Sequence, residues 1–100
     1  MPKYKVYREP EYDDWFKKES FRSQLQIEDR LDRIRNEAHF GHHKYLADDI
    51  WEIKFNDGRR IYYALFKESN IILLLGGNKN EQDKGIIKAK NIYKKRKDGT

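Results

Sequence analysis

Residues 71–90 read Ile71-Ile72-Leu73-Leu74-Leu75-Gly76-Gly77-Asn78-Lys79-Asn80-Glu81-Gln82-Asp83-Lys84-Gly85-Ile86-Ile87-Lys88-Ala89-Lys90. Five apolar residues stopping at two glycines predict a short buried strand. Asn80, followed by Glu81 and Asp83, predicts a capped helix start with acids in the first turn, where the helix dipole favours negative charge. The strand is therefore expected to leave the core and hand Lys79 to the surface. Being apolar on both faces, it should run through the interior of a sheet with cover on each side. The following helix is the available cover, because Ile86, Ala89, Ile92 and Tyr93 recur at helical spacing while Lys84, Lys88, Lys94 and Lys95 point elsewhere. Gly85 costs such a helix about 1 kcal/mol relative to alanine, which predicts a mobile first turn.

Upstream of this stretch, Trp51, Ile53 and Phe55 alternate with Glu52 and Lys54, and Ile61, Tyr63 and Leu65 alternate with Arg60, Tyr62 and Ala64. The two runs are joined through Asn56-Asp57-Gly58. A two-residue turn at Asp57-Gly58 would set Phe55 against Arg60 and Ile53 against Tyr62, mixing polar and apolar residues on each face. A three-residue loop with Gly58 left-handed instead sets Ile53 against Ile61, Lys54 against Arg60 and Glu52 against Tyr62. One face then carries Trp51, Ile53, Ile61, Tyr63 and Leu65, and the other carries Glu52, Lys54, Arg60 and Tyr62.

Towards the N-terminus, Lys3 to Arg8 alternates as a half-exposed strand does. Pro10 suits the first turn of a helix containing Tyr12, Trp15 and Phe16. Ser20 caps a second helix, in which Phe21, Leu25, Ile27, Leu31, Ile34 and Ala38 form a broad apolar stripe. Residues 40–49 read as a polar loop. The expected fold is α+β: an N-terminal strand and a two-helix hairpin packed on a small, mainly antiparallel sheet, with a C-terminal helix. Residues 1–100 are expected to make one domain, with a basic tail fraying from about residue 95 to 100.

With 37% apolar and 14% aromatic residues, the chain can build one modest core. It has no cysteine, which excludes disulfides and thiolate metal sites. Met1-Pro2-Lys3-Tyr4 lacks an apolar signal region, and no apolar run approaches the roughly 18 residues of a membrane span. A cytoplasmic protein without a membrane partner is expected. Charge is unevenly placed: residues 1–78 hold 14 Lys and Arg against 14 Asp and Glu, whereas residues 79–100 hold 8 against 3. The excess makes the C-terminal segment either a polyanion-binding surface or a solubilising tail.

His39, His42 and His43 lack metal-ligand spacing with carboxylates, so neither a metal nor another cofactor is expected. Gly76-Gly77-Asn78-Lys79 lacks the spaced glycines and Gly-Lys-Ser/Thr ending of a nucleotide-hydrolase loop. What remains is a cationic cluster of Lys54, Arg60 and Lys79 beside Tyr62. A metal-free ribonuclease needs such cations to stabilise its transition state, a base for the 2′-hydroxyl and an acid for the leaving oxygen. Arg60 suits charge stabilisation, since a guanidinium stays protonated and grips two phosphate oxygens. The base could be Tyr62, a depressed-pKa lysine or Glu52. Equally, Glu52, Lys54 and Arg60 could form a cross-strand ion-pair ladder with no catalytic role.

Lys44-Tyr45-Leu46, Trp51-Glu52-Ile53-Lys54, Arg60-Ile61-Tyr62-Tyr63, Leu73 to Gln82 and Ile86 to Lys90 together resemble the RelE/ParE toxin superfamily, close to its HigB-like addiction-module killer proteins. The resemblance covers most of residues 40–90, in order and at nearly the family's spacing. It implies the toxin of a type II toxin-antitoxin pair, an enzyme that cuts mRNA on the ribosome, and a helix-turn-helix antitoxin as partner. Carried over by position, Arg60, Lys79, Tyr62 and Lys54 become the catalytic candidates. Lys44, His43, Lys84, Lys88, Lys90, Lys94 and Lys95 become the candidates for holding RNA and ribosome. Lys54 stands where the family has arginine and Asn78 where it has aspartate, and the loop at Asn56-Asp57-Gly58 is shortened. The superfamily also contains members that poison DNA gyrase without cutting RNA; a third alternative is RNA binding without cleavage.

Overall fold

The computed structural model describes residues 3–99. In chain order the elements are β1 (Lys5–Arg8), α1 (Pro10–Lys17), α2 (Phe21–Glu37), β2 (His43–Ala47), β3 (Ile50–Lys54), β4 (Arg59–Phe66), β5 (Asn70–Asn78), a 3-10 turn (Lys79–Glu81) and α3 (Gln82–Asp98). The strands form one mixed sheet in the order β1-β5-β4-β3-β2, and β1 runs parallel to β5. The fold is thus the expected α+β arrangement, with α1 and α2 on one face and α3 on the other. Pro10 opens α1, and the Ser20 hydroxyl accepts from the Ser23 backbone N–H to cap α2, as their residue types require.

The hairpin register predicted by elimination is the one observed: Ile53 faces Ile61, Lys54 faces Arg60 and Glu52 faces Tyr62. Gly58 sits at φ +95°, a conformation that a Cβ would strain. Below the sheet, Ile53, Ile61, Tyr63, Ile71 and Leu73 pack with Tyr12, Ile27, Leu31 and Ile34 from the two helices. Above it, Ile50, Tyr62, Ala64, Ile72 and Leu74 pack with Ala89, Ile92 and Tyr93 of α3.

Several expectations are corrected. Residues 43–47 are a strand, not loop: β2 pairs with β3 through a two-residue turn whose Asp48 and Asp49 have φ +52° and +70°. Two successive left-handed residues mark a tight hairpin turn of the type whose twist matches the strands. β5 does not stop at the glycines but continues through them to Asn78. The cap belongs to Asn78, whose side chain accepts from the Asn80 backbone N–H at 3.0 Å; Asn80 itself lies inside the 3-10 turn. Phe21 and Leu25 do not join the buried stripe of α2 and are 75% and 55% exposed. The basic tail is helical through Asp98, and Arg96 pairs with Glu9 at 2.8 Å. The predicted start of β1 moves from Lys3 to Lys5. Residues 1, 2 and 100, which include part of the signal-region reading and the end of the tail, lie outside the described residues.

A bulge decides how β5 meets its covers. Tyr62 pairs with Leu75 but Tyr63 with Leu73, so Leu74 is an extra residue on β5. Leu74 and Leu75 consequently both pack with the cluster under α3. Gly76 is turned towards α1, where the Trp15 ring lies on it: a Cβ there would be 2.1 Å from the indole.

Candidate functional site

In β3 and β4, side chains that face each other share a face. The register therefore places Glu52, Lys54, Arg60 and Tyr62 together beneath the start of α3, with Lys44 of β2 opposite Glu52 on the same face. α3 crosses this face closely. Gly85 lies over the Tyr62 ring, and a Cβ would stand 2.9 Å from it. The predicted cost of Gly85 to the helix is thus offset by a close approach that only glycine permits.

The centre of the cluster is a carboxylate. Glu52 is fully buried, and one of its oxygens accepts from the Gln82 side-chain amide at 2.7 Å. Arg60 Nε lies 3.6 Å away and Lys54 Nζ 3.9 Å away, both too long for direct hydrogen bonds but close enough for charge pairing. Arg60 Nη1 also donates to its neighbour's carbonyl, Arg59 O, at 3.2 Å. The polar face is therefore not an open surface, since one buried acid holds two half-buried cations and ties them to the first residue of α3. The Tyr62 hydroxyl is buried with no hydrogen-bond partner among the described residues. Burial, then the negative charge of Glu52, pushes its pKa up to about 12, so it keeps its proton at neutral pH.

Gly77 stands opposite Arg60 in the β4–β5 ladder, and the space its side chain would occupy is open. Lys79 follows two residues later. Its backbone N–H donates to Gly58 O at 2.8 Å, and its stem passes over Gly58. The glycine-containing end of β5 thus brings Lys79 to the hairpin end of the strands that bear Lys54 and Arg60. Lys54, Arg60, Tyr62 and Lys44 share one face, and Lys79 lies at the hairpin end of its strands.

The other predicted contacts are spread more widely. His43 lies on the opposite face, where its Nδ1 meets the Tyr63 hydroxyl at 2.8 Å and its ring stacks between Phe40 and Trp51. Burial, then the charges of Arg30 and His42, hold its pKa below the ordinary histidine value. On α3, Lys84, Lys88, Lys94 and Lys95 are exposed, while Lys90 pairs with Asp48 at 3.3 Å. Among the described residues no group of three His, Asp or Glu side chains is set to hold a metal ion. No helix among them is long and apolar enough to cross a membrane.

Sequence reasoning misses two arginines that fix the hairpin to α2. Arg30 donates to the carbonyls of Phe40, His42 and Lys54, each at 3.1 Å. Arg59 pairs with Asp57 and donates to Gln26 at 2.6 Å. Both guanidiniums lie over the Phe55 ring, 4.9 and 5.2 Å from its centroid. Gly41, at φ +69°, lets the loop wrap Arg30, since a Cβ there would come within 2.7 Å of Nε.

Residues 14–98, from the middle of α1 to the end of α3, match the family described as phage derived protein Gp49-like (DUF891). The chain belongs to this Gp49-like family. A relative from Haemophilus influenzae, described as an uncharacterized protein, is 35% identical over 83 residues, covering 79% of this chain and 82% of the relative. The Gp49-like family is associated with the toxins of toxin-antitoxin systems, of the RelE-like type. In this Gp49-like chain the matched segment contains every residue of the cluster around Glu52.

Proposed function

We propose that this Gp49-like protein is the toxin of a type II toxin-antitoxin pair and a HigB-like mRNA interferase, cutting translated mRNA on the ribosome without a metal and held in check by a helix-turn-helix antitoxin. The observation that supports the reading best is the pair of cations, Arg60 and Lys54, held on one sheet face by the buried Glu52, with the exposed Lys79 at the hairpin end of the same strands. A phosphate entering there meets cations fixed by a buried acid and another on an exposed stem. That grouping suits the extra negative charge of a phosphorane-like transition state. Glu52 is best read as the group that positions Arg60 and Lys54, because it is fully buried between them. Tyr62, protonated and covered by Gly85, is a wall of the site rather than its base. Lys44 and the exposed lysines of α3 are suited to ribosomal RNA. The reading makes the protein cytoplasmic.

One observation favours a second reading. Both cations on the sheet face already share a carboxylate, as in a purely structural ion-pair ladder, and this suits a toxin that binds a protein target such as DNA gyrase without cutting RNA. Brief induction in cells followed by mapping of mRNA 5′ ends separates the two. New ends at translated codons are expected; intact transcripts with an SOS response would establish the second reading. Arg60→Ala and Lys79→Ala should each relieve growth arrest by at least about tenfold in surviving colonies, while circular dichroism stays that of the folded protein. Full toxicity in both variants would remove this site.

A further inference from the structure

Five surface clefts among the described residues differ in one respect. The cleft between α1 and α3 over the two glycines is lined by three acids and three cations, and three others are lined by two of each. The fifth, between α2, the loop 39–42 and the β3–β4 hairpin, is lined by the cations Arg30, Arg33 and Arg59 against Asp29 and Asp57, with the Lys54 carbonyl in its wall and His39 and His42 beside it. Its volume is about 500 Å³. It alone of the five has a net positive lining, although the linear sequence places the basic excess in α3.

We infer that this cleft is a binding groove for the phosphate backbone of single-stranded RNA. Three features carry the inference. Arg30 and Arg59 are preorganised: the first is tied to three carbonyls and the second to Gln26 and Asp57, with Phe55 packed against both, so little side-chain freedom is given up when an anion arrives. Arg33 is half-exposed and pairs with Asp29 at 3.2 Å, a surface pair that a phosphate can displace. Lys54 meets the cleft through its carbonyl, which accepts from Arg30, while its ammonium lies with Glu52 on the other face, so the cleft and the proposed cleavage site adjoin at the β3–β4 hairpin. In this respect the inference rests on the interferase reading. Flexible single strands suit a groove with fixed cations, and binding of this kind weakens steeply with salt.

The test is equilibrium binding of a fluorescent oligouridine to the purified protein over a salt series. Arg33→Gln combined with His42→Gln should weaken binding about fivefold at moderate salt and flatten the salt slope by ~0.7 for each phosphate that the protein no longer neutralises. Asp29→Asn, which removes an acid and frees Arg33, should tighten it. Lys84→Gln combined with Lys88→Gln on α3 should change it less than the cleft variant. Unchanged affinity in the cleft variant, or a larger loss in the α3 variant, overturns the groove. Polyglutamate of equal charge should compete poorly; if it competes as well as the RNA, the cleft takes an acidic peptide and the RNA assignment falls. The interferase reading fails separately. Cleft-dependent RNA binding with no new 5′ ends in cells would remove cleavage alone, whereas cleavage with normal binding by the cleft variant would remove the groove alone.

Discussion

His43 shows how much a single side chain's setting decides. Its ring lies between Phe40 and Trp51 and its Nδ1 meets the Tyr63 hydroxyl, so a proton on the ring would have to be taken up among aromatic faces, near Arg30 and His42. The folded pKa is therefore below the unfolded value near 6.5. Above that unfolded value both states are neutral and the contribution is complete. As pH falls, the unfolded chain binds the proton first, and stability drops until the folded pKa is passed. The urea midpoint of the native protein should fall between about pH 7.5 and pH 5. His43→Phe, which keeps the stacking but cannot titrate, should show a shallower fall over the same range. Equal slopes would mean that His43 contributes nothing to the pH dependence. A histidine beside two others in sequence invites a reading as a metal or RNA ligand; only the partner strands reveal that it faces the core.

At the scale of elements, β5 and its two glycines carry the most testable packing. Gly76→Ala would push a methyl group into the Trp15 ring, and with backbone on one side and a core indole on the other it should cost about 1–3 kcal/mol in urea unfolding. Gly77→Ala meets open space and should be neutral or slightly stabilising. A similar loss in both would show that strand propensity, not the Trp15 ring, explains the glycines. The same elements show what can be read beforehand. The β3–β4 register is legible because side-chain alternation leaves one consistent pairing, and α1 and α2 are legible from Pro10 and Ser20. β2 is not, because an edge strand is half solvated and its residues show no clean alternation; the pair Asp48-Asp49 is its only local signal. The glycines read as a strand's end because a bulge and an indole resting on the chain are tertiary facts. The cluster of Lys54, Arg60 and Tyr62 is legible, but not that a buried Glu52 holds its cations. Nor is the cleft, whose arginines are scattered between residues 30 and 59.

The whole molecule is closed by its two ends. β1 lies beside β5 although most of the chain runs between them, and Arg96 reaches back to Glu9 at the start of α1. Such distant pairings form late, because the loop between them must be closed before the contacts form. A chain ending at Ser69 keeps α1, α2 and the strands β2 to β4 but lacks both the central strand and α3. It should give no cooperative urea transition, whereas the full chain should unfold in one. A cooperative transition in the shortened chain would mean that β5 is not needed for the core. The parallel pairing of β1 with β5 also sets when the protein can first act. β1 is synthesised first, but its place in the sheet does not exist until Asn70 to Leu73 have been made, and the lysine-bearing turn and α3 come later still. On a translating ribosome the folded site thus forms only after α3 has been made. A fragment that stops before Asn70 lacks the central strand, leaving β1 without its neighbour in the sheet.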